Sequence, residues 1–155
     1  MILLLGCNVG DCPRRLREGL EHLSRKMEVV RVSRTYAGKA WGKADQPRFL
    51  NLAARAKCLL TPDELLAFAK DVEAAAGRVP RGRWGPRELD VDIVLMGEKV
   101  VREPHLVIPH PLLAFRRFCL APVSEIAPGA VVPPGGKTIR DLLNACGDPL
   151  EVYPT

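Results

Sequence analysis

Two aspartates one residue apart, Asp90 and Asp92, follow a cluster of arginines in the stretch RWGPRELDVDIVL at 83–95. On an extended strand alternate side chains share a face, so both carboxylates point the same way, roughly 6–7 Å apart along the strand. Leu89, Val91 and Ile93 face the other way and anchor the strand in a core. Adjacent carboxylates repel unless they are solvated, protonated or bridged by a cation. Carboxylates supplemented by phosphate oxygens are how Mg²⁺ is usually held. An isolated Asp-x-Asp is more often a surface pair bridged to nearby arginines. Here Arg78, Arg81, Arg83 and Arg87 precede it, in a segment that Gly82 and Gly85 keep flexible. Guanidinium forks suit polyphosphate. Polyphosphate needs cations and the metals need anions, so the segment carries both halves of a Mg²⁺–nucleoside triphosphate site. A solvated basic loop is the plainer alternative.

Phe49 and Asn51 form a second group, sharing the strand face opposite the apolar residues Leu50, Leu52, Ala54, Ala56 and Cys58. An aromatic plane beside an amide that both donates and accepts suits a flat heterocycle. An ordinary exposed strand face reads the same way. A third group, in IPHPLLAFRRF at 108–118, contains His110, Arg116 and Phe118. A histidine between two prolines is more often a structural hydrogen-bonder than a catalyst. No Ser-His-Asp arrangement stands out, and GCNVGD at 6–11 lacks the Gly-Lys-Ser/Thr of a Walker loop.

The elements that must position these groups follow from periodicity. Residues 2–5, ILLL, read as a buried strand before Gly6. Asp11 can cap a helix over about 12–26, with Leu16, Leu20, Leu23 and Met27 at helical spacing. A strand is expected over 28–36, then a loop through AGKAWGKADQPR that holds Trp41, then a strand over 49–59. The helix at 62–76 has Thr61 as N-cap, Pro62 at its first position, a Thr-x-x-Glu capping box to Glu64 and Gly77 past its end. Glu73 projects at the edge of its apolar stripe. RVPRGRWGPRE is too rich in Gly, Pro and Arg to be regular. The strand 89–96 should take a hairpin partner near 99–102, and the proline-punctuated remainder should contain one short helix near 137–145. The order β-α-β-β-α-β predicts an α+β, ferredoxin-like antiparallel sheet with helices on one face, plus a C-terminal extension. The other sheet face is then open to host a site. One domain over 1–155 is expected at this length.

Composition narrows the partners. The chain has 155 residues, 47% hydrophobic and 26% charged, with net charge +5. Mild basicity fits an anionic partner without separating nucleotide from nucleic acid or membrane surface. Cysteines at 7, 12, 58, 119 and 146 are odd in number and lack zinc spacing, so reduced thiols in a cytoplasmic protein are expected. MILLLGC imitates a lipoprotein cleavage site, but only six residues precede Cys7. No run approaches the ~20 apolar residues of a membrane span.

RWGPRELDVDIVL resembles the signature of the 6-hydroxymethyl-7,8-dihydropterin pyrophosphokinases. The likeness extends through GCNVGD, DQPRFLN at 45–51, EAAAGR at 73–78, IPHPLLAFRRF and EIAP at 125–128. It implies transfer of the β,γ-pyrophosphoryl group of ATP to the pterin hydroxymethyl oxygen, releasing AMP. By position, Asp90 and Asp92 would hold two Mg²⁺ ions, with Arg83 and Arg87 as their catalytic companions. Asn51 would read the pterin, Phe49 and Phe118 would sandwich it, and Trp41 would join that pocket. Glu73, Arg78, Arg83, Trp84, Arg87, Ile93, His110 and Arg116 fall at ATP-contacting or loop-closing positions. Segment 78–87 would act as a lid. Cys7 replaces a usual Ser, Phe49 a frequent Tyr, Lys70 a common Gln and Pro111 an aromatic. The loop at 37–42 lacks a Thr-x-Pro, and the arginine loop is shorter, leaving Arg81 unaligned. The expected partners are the two small substrates, acting on a monomer, with no nucleic acid and no membrane. A basic ferredoxin-like nucleic-acid-binding module is the rival, disfavoured because only 5% of residues are aromatic and stacking platforms are therefore scarce.

Overall fold

The computed structural model describes residues 1–42 and 45–155. In chain order the elements are β1 (Ile2–Cys7), α1 (Cys12–Leu23), β2 (Glu28–Val32), β3 (Tyr36–Gly38), β4 (Phe49–Lys57), α2 (Pro62–Ala75), β5 (Asp90–Leu95), β6 (Val101–Glu103) and β7 (Leu106–Ile108). Then follow α3 (Arg117–Ile126), β8 (Val131–Val132), β9 (Lys137–Thr138), α4 (Ile139–Ala145) and β10 (Val152–Pro154). The main sheet runs β10-β3-β4-β1-β5, with β2 also on β4, and its pairings are antiparallel. Counting β2 and β3 as one interrupted strand, this is the ferredoxin-like order expected from the sequence.

All six residues of β1 are buried, because the central strand is covered on both faces. Leu3, Leu5 and Cys7 pack with Leu16 and Leu23 of α1 and Leu65, Phe68 and Val72 of α2. Ile2 and Leu4 face the other way, against Leu120, Val123 and Ile126 of α3 and Ile139 of α4. A continuous apolar run in place of alternation is what two-sided burial requires. The C-terminal extension therefore covers part of the second face. Ala53 and Val94 lie beneath it, and only the end near Gly6 stays open.

The helix caps form as expected. Asp11 accepts from Arg14 N, and Thr61 and Glu64 close the capping box of α2. The expected strand 28–36 is broken at Ser33, whose buried hydroxyl accepts from Ala53 N (2.9 Å) and donates to the Arg34 carbonyl (2.7 Å). Residues 101–103 do not pair with β5; a turn closed by Lys99 N on the Met96 carbonyl carries them to β7 (Val101↔Ile108). Helix α3 runs through a stretch that proline spacing marks as irregular. Pro122 lies inside it, and burial of Cys119, Leu120, Val123 and Ile126 outweighs the lost backbone bond.

The expectation of five reduced cysteines is corrected. Cys7 and Cys12 form a disulfide, because the tight turn after β1 brings the strand end and the first residue of α1 together. Cys58, Cys119 and Cys146 are free thiols. Lys43, in the expected loop around Trp41, lies outside the described residues.

Leu120→Ala should cost about 3 kcal/mol in urea unfolding, because Leu120 is fully buried between α3 and the sheet. Phe115→Ala, at a mostly exposed ring, should stay within about 0.5 kcal/mol. A Leu120 cost below about 1 kcal/mol would mean that the extension is not a packed layer.

Candidate active site

The open end of the second sheet face is built around a missing side chain. Gly6 of β1 stands between Asn51 of β4 and Asp90 of β5, and Leu4 stands opposite Asp92. A Cβ on Gly6 would lie 2.6 Å from Asn51 Oδ1, so only glycine lets the amide lie flat over the strand. Phe49 lies beside it. The two aspartates point to this face as strand alternation demands, while Leu89, Val91 and Ile93 are buried on the other side. Gly6, Phe49, Asn51, Asp90 and Asp92 line one pocket with Lys39, Trp41, Trp84, Arg87, Arg116 and Phe118.

That pocket is largely filled by its own side chains. The Arg116 guanidinium lies 4.9 Å from the Trp41 ring centre, 5.3 Å from Trp84 and 5.5 Å from Phe118, within cation–π range. Trp41 and Trp84 stack at 5.0 Å. Arg116 sits at the start of α3 beside Phe118, so helix packing brings both to the site. Its buried Nε has no hydrogen-bond partner among the described residues. Burial lowers its pKa, and the Asp92 charge opposes that shift. The free space is ≈ 80 Å³, room for two or three waters at about 30 Å³ each.

The carboxylates are heavily compensated. Asp90 receives Arg78 Nη1 at 2.9 Å on one oxygen and Arg87 on the other. Glu73 is buried in α2, where it accepts from Val91 N (2.9 Å) and pairs with Arg78 and with Lys70 (3.1 Å). The Asp92 carboxyl is pushed up to about 7, first by burial and second by the Asp90 charge beside it. His110 is pushed down to about 4 by burial and the nearby Arg116. Its Nδ1 accepts from Leu112 N (3.1 Å), which assigns the proton of the neutral ring to Nε2.

Two further hollows adjoin the pocket. One is basic, walled by Lys70, Glu73, Arg78, Arg81 and Arg87. The other is mainly apolar, walled by Leu66, Ile93, Leu106, Val107 and Pro111, with Lys70, Asp92 and His110 at its polar side. Ile93 contributes from the core. Arg83 stands apart from both, over the Trp84 ring at 4.9 Å.

Four residues shape the site in ways that periodicity does not reveal. Gly6 shows in the sequence as a strand end and as the first residue of the GCNVGD motif. Asn8 is buried: it donates to Gln46 Oε1 (3.0 Å) and the Pro47 carbonyl (3.1 Å), and accepts from Arg87 N (2.8 Å). Gln46 Nε2 in turn donates to the Trp84 carbonyl (2.7 Å). Glu88, buried between the ends of segment 78–87, accepts from Val79 N (3.2 Å) and pairs with Arg81. Its pKa is lowered to about 2, chiefly by Arg81. A polar residue at a strand end or in a turn gives no signal of such distant partners.

Fold and site together define a class, a small α+β transferase acting on a nucleoside polyphosphate. The chain matches the family model described as 7,8-dihydro-6-hydroxymethylpterin-pyrophosphokinase over residues 2–128. It belongs to that family. Relatives called 2-amino-4-hydroxy-6-hydroxymethyldihydropteridine pyrophosphokinase include one from Aquifex aeolicus, 41% identical over 137 residues, which are 88% of this chain and 86% of that one. Another, from Methylorubrum extorquens, is 41% identical over 141 residues, 90% of this chain and 88% of that one. The crystal structure of wild-type Plasmodium falciparum HPPK-DHPS with pteroate aligns with TM-score 0.70 at 16% identity, over 93% of this chain. This chain spans only 41% of that longer protein, and the likeness bears on the fold.

Asp92 has a pH signature. Its folded pKa is raised, so between about 4 and 7 the folded protein binds more protons than the unfolded chain, and this group's contribution to stability falls as pH rises through that window. Metal-free Asp92→Asn should be more stable than the parent at pH 8, by about 1–3 kcal/mol, with the gain shrinking toward pH 4. Urea unfolding across pH without divalent ions checks this; equal profiles would remove the buried charge as a strain.

Proposed function

We propose that this chain transfers the pyrophosphoryl group of ATP to the hydroxymethyl oxygen of 6-hydroxymethyl-7,8-dihydropterin, giving AMP and the pterin diphosphate, a step of folate biosynthesis. The observation that carries the reading is that Asp92 is a wall common to the aromatic pocket and the apolar hollow. Acceptor and nucleotide placed in those two spaces meet at the carboxylates. Family membership and the names of the relatives agree with it, and none of them supports the nucleic-acid-binding reading.

The pterin would lie over Gly6, between Phe49 and Phe118, with Asn51 reading its edge and Trp41 closing the side. The nucleotide base would take the apolar hollow between Leu66, Ile93, Leu106 and Val107. The polyphosphate would then run past His110, Arg78, Arg87 and Arg116, with Arg83 and Trp84 closing from segment 78–87. Neutral His110, its proton on Nε2, can only donate there, which suits a phosphate oxygen.

Asp90 and Asp92 fit Mg²⁺. They offer oxygen ligands alone, and among the described residues no cluster of three His, Cys, Asp or Glu forms a complete cage, which leaves positions for phosphate and water. Bound there, the ions would neutralise the polyphosphate and make the acceptor oxygen a better nucleophile. The protein's own part is to hold charge in readiness. Arg78 and Arg87 compensate Asp90 in the absence of substrate, and both stand where a phosphate can take them over. Alignment and fixed positive charge account for most of the rate in transfers of this kind.

No helix among the described residues is long and apolar enough to cross a membrane. We place the protein in the cytoplasm as a monomer, with residues 1–155 acting as one catalytic domain on two small substrates.

Incubation with Mg²⁺, ATP and the hydroxymethyl-dihydropterin should yield AMP. ADP would indicate an ordinary kinase, and no nucleotide product would return the binding-module reading. Asp90→Ala and Asp92→Ala should each lower turnover by about 10³-fold or more, and Arg87→Ala by about 10²-fold. Near-normal rates in both aspartate variants would refute the metal assignment. Gly6→Ala displaces Asn51, so KM for the pterin should rise about 10-fold while nucleotide affinity stays within about 2-fold.

A further inference from the structure

The turn after β1 is closed by the Cys7–Cys12 disulfide, and the same turn grips the Arg87 end of segment 78–87, while the helix it leads into reaches the residues just before the other end. At one end Asn8 and Arg87 exchange two bonds, Asn8 N to the Arg87 carbonyl (3.0 Å) and Arg87 N to Asn8 Oδ1 (2.8 Å). Just before the other end Arg15, in the first turn of α1, donates to the Ala76 carbonyl. The Arg15 guanidinium also lies 3.8 Å from where a Cβ on Gly77 would stand. Asn8 further donates to Gln46 and Pro47, the loop that leads to Phe49. One short ring thus touches the Arg87 hinge of the segment and the approach to the aromatic pocket. The transfer chemistry uses neither sulfur.

The Val9 carbonyl lies 3.5 Å from Cys7 Sγ and 3.8 Å from Cys12 Sγ. Disulfide sulfurs have no hydrogen to give it, whereas thiols do, so opening the bond supplies donors beside a waiting acceptor. Val9 is half-buried and Gly10 and Asp11 are exposed, so the tip of the turn is free of the core, whereas Cys7, Asn8 and Cys12 are buried.

We propose that Cys7 and Cys12 are a reversible thiol–disulfide site, whose state sets how firmly the ring holds segment 78–87 over the active site. The reductant is a dithiol, free or carried by a protein. One of its thiolates attacks the sulfur of Cys12, the less buried residue of the two at 7% against 0%. A mixed disulfide forms while the Cys7 sulfur leaves with the electron pair and takes a proton. The reductant's second thiolate then closes its own disulfide and releases Cys12. That sulfur departs as the thiolate and then takes its proton. The protein gains two electrons and two protons, and the reductant loses them. Without the cross-link the turn regains conformational freedom, Asn8 is held less firmly, and segment 78–87 opens more often.

Amide hydrogen exchange on the full chain, before and after dithiothreitol, reads this opening directly, with thiols counted in denaturant. Of the five cysteines, three should react before treatment and all five after it. Exchange in 78–87 should become about 3-fold faster or more, with β1 and β5 unchanged. The Cys7→Ser/Cys12→Ser variant should exchange like the reduced protein and ignore the reductant. Five thiols at the outset, a bond that resists the dithiol, or identical exchange in both states would each overturn the proposal.

The consequence for turnover rests on the pyrophosphokinase reading. Reduction should lower kcat/KM about 3–10-fold in the parent, while the double-serine variant should show the same rate with or without dithiol. A chain with redox-dependent exchange and no AMP production would sink that reading and leave the thiol site standing. An active chain whose exchange ignores redox state would do the reverse.

Discussion

The structure is organised around a repulsion. Two carboxylates on one strand face, half-buried at the open end of the sheet, with a third on the neighbouring helix, are costly in the absence of cations. At the 6–7 Å spacing of alternate strand residues and an effective dielectric of about 20, each such pair opposes the fold by about 2–3 kcal/mol. The raised pKa of Asp92 reflects its burial first and this repulsion second. Arg78 and Arg87 meet it at Asp90, Arg78 and Lys70 meet it at Glu73, and Arg116 lies near Asp92. Much of what surrounds the site serves to hold these cations in place.

Holding them carries its own cost, which explains the aromatic box. A guanidinium kept from water needs partners, and Arg116 finds ring faces in Trp41, Trp84 and Phe118 in place of a complete set of hydrogen bonds. Those same planes are what a flat substrate would require. A cation thus stands among the rings of the pocket. The positive charge is arranged before any ligand arrives, and little reorganisation remains for the reacting complex. Trp84 adopts φ 65°, a region rarely used outside glycine, and strain of that kind collects where a loop is held for function.

How much of this was legible in the sequence follows the range of each interaction. The capping box of α2, the orientation of Asp90 and Asp92 and the buried first strand depend on neighbours within a few residues, and they stand as expected. Helix α3 was hidden because Pro122 contradicts the local rule and only burial against a distant strand overrides it. The hairpin partner of β5 was misplaced because the turn at 96–99 redirects the chain by geometry that composition does not encode. Cys7 and Cys12 carried no zinc or redox spacing, and their pairing depends on how the chain turns after β1. Asn8 bonds residues 38, 39 and 79 positions away, beyond the reach of any periodicity. Its motif was visible through family resemblance, but its physical task was not.

The C-terminal extension shows why a ferredoxin-like sheet alone does not make this site. A bare second face would leave Leu4, Ala53 and Val94 in water beside the carboxylates, and high dielectric would screen every charge there. By burying Leu120, Val123 and Ile126 against those residues, α3 dries one half of the face. Its first turn then places Arg116 and Phe118 at the boundary of the other half. The hydrophobic contact that holds the helix therefore also raises the strength of each charge interaction next to it, because the same ion pair is worth several-fold more once water is excluded. Packing and electrostatics are coupled here through one helix, and loosening its apolar side would weaken the site without touching a polar atom.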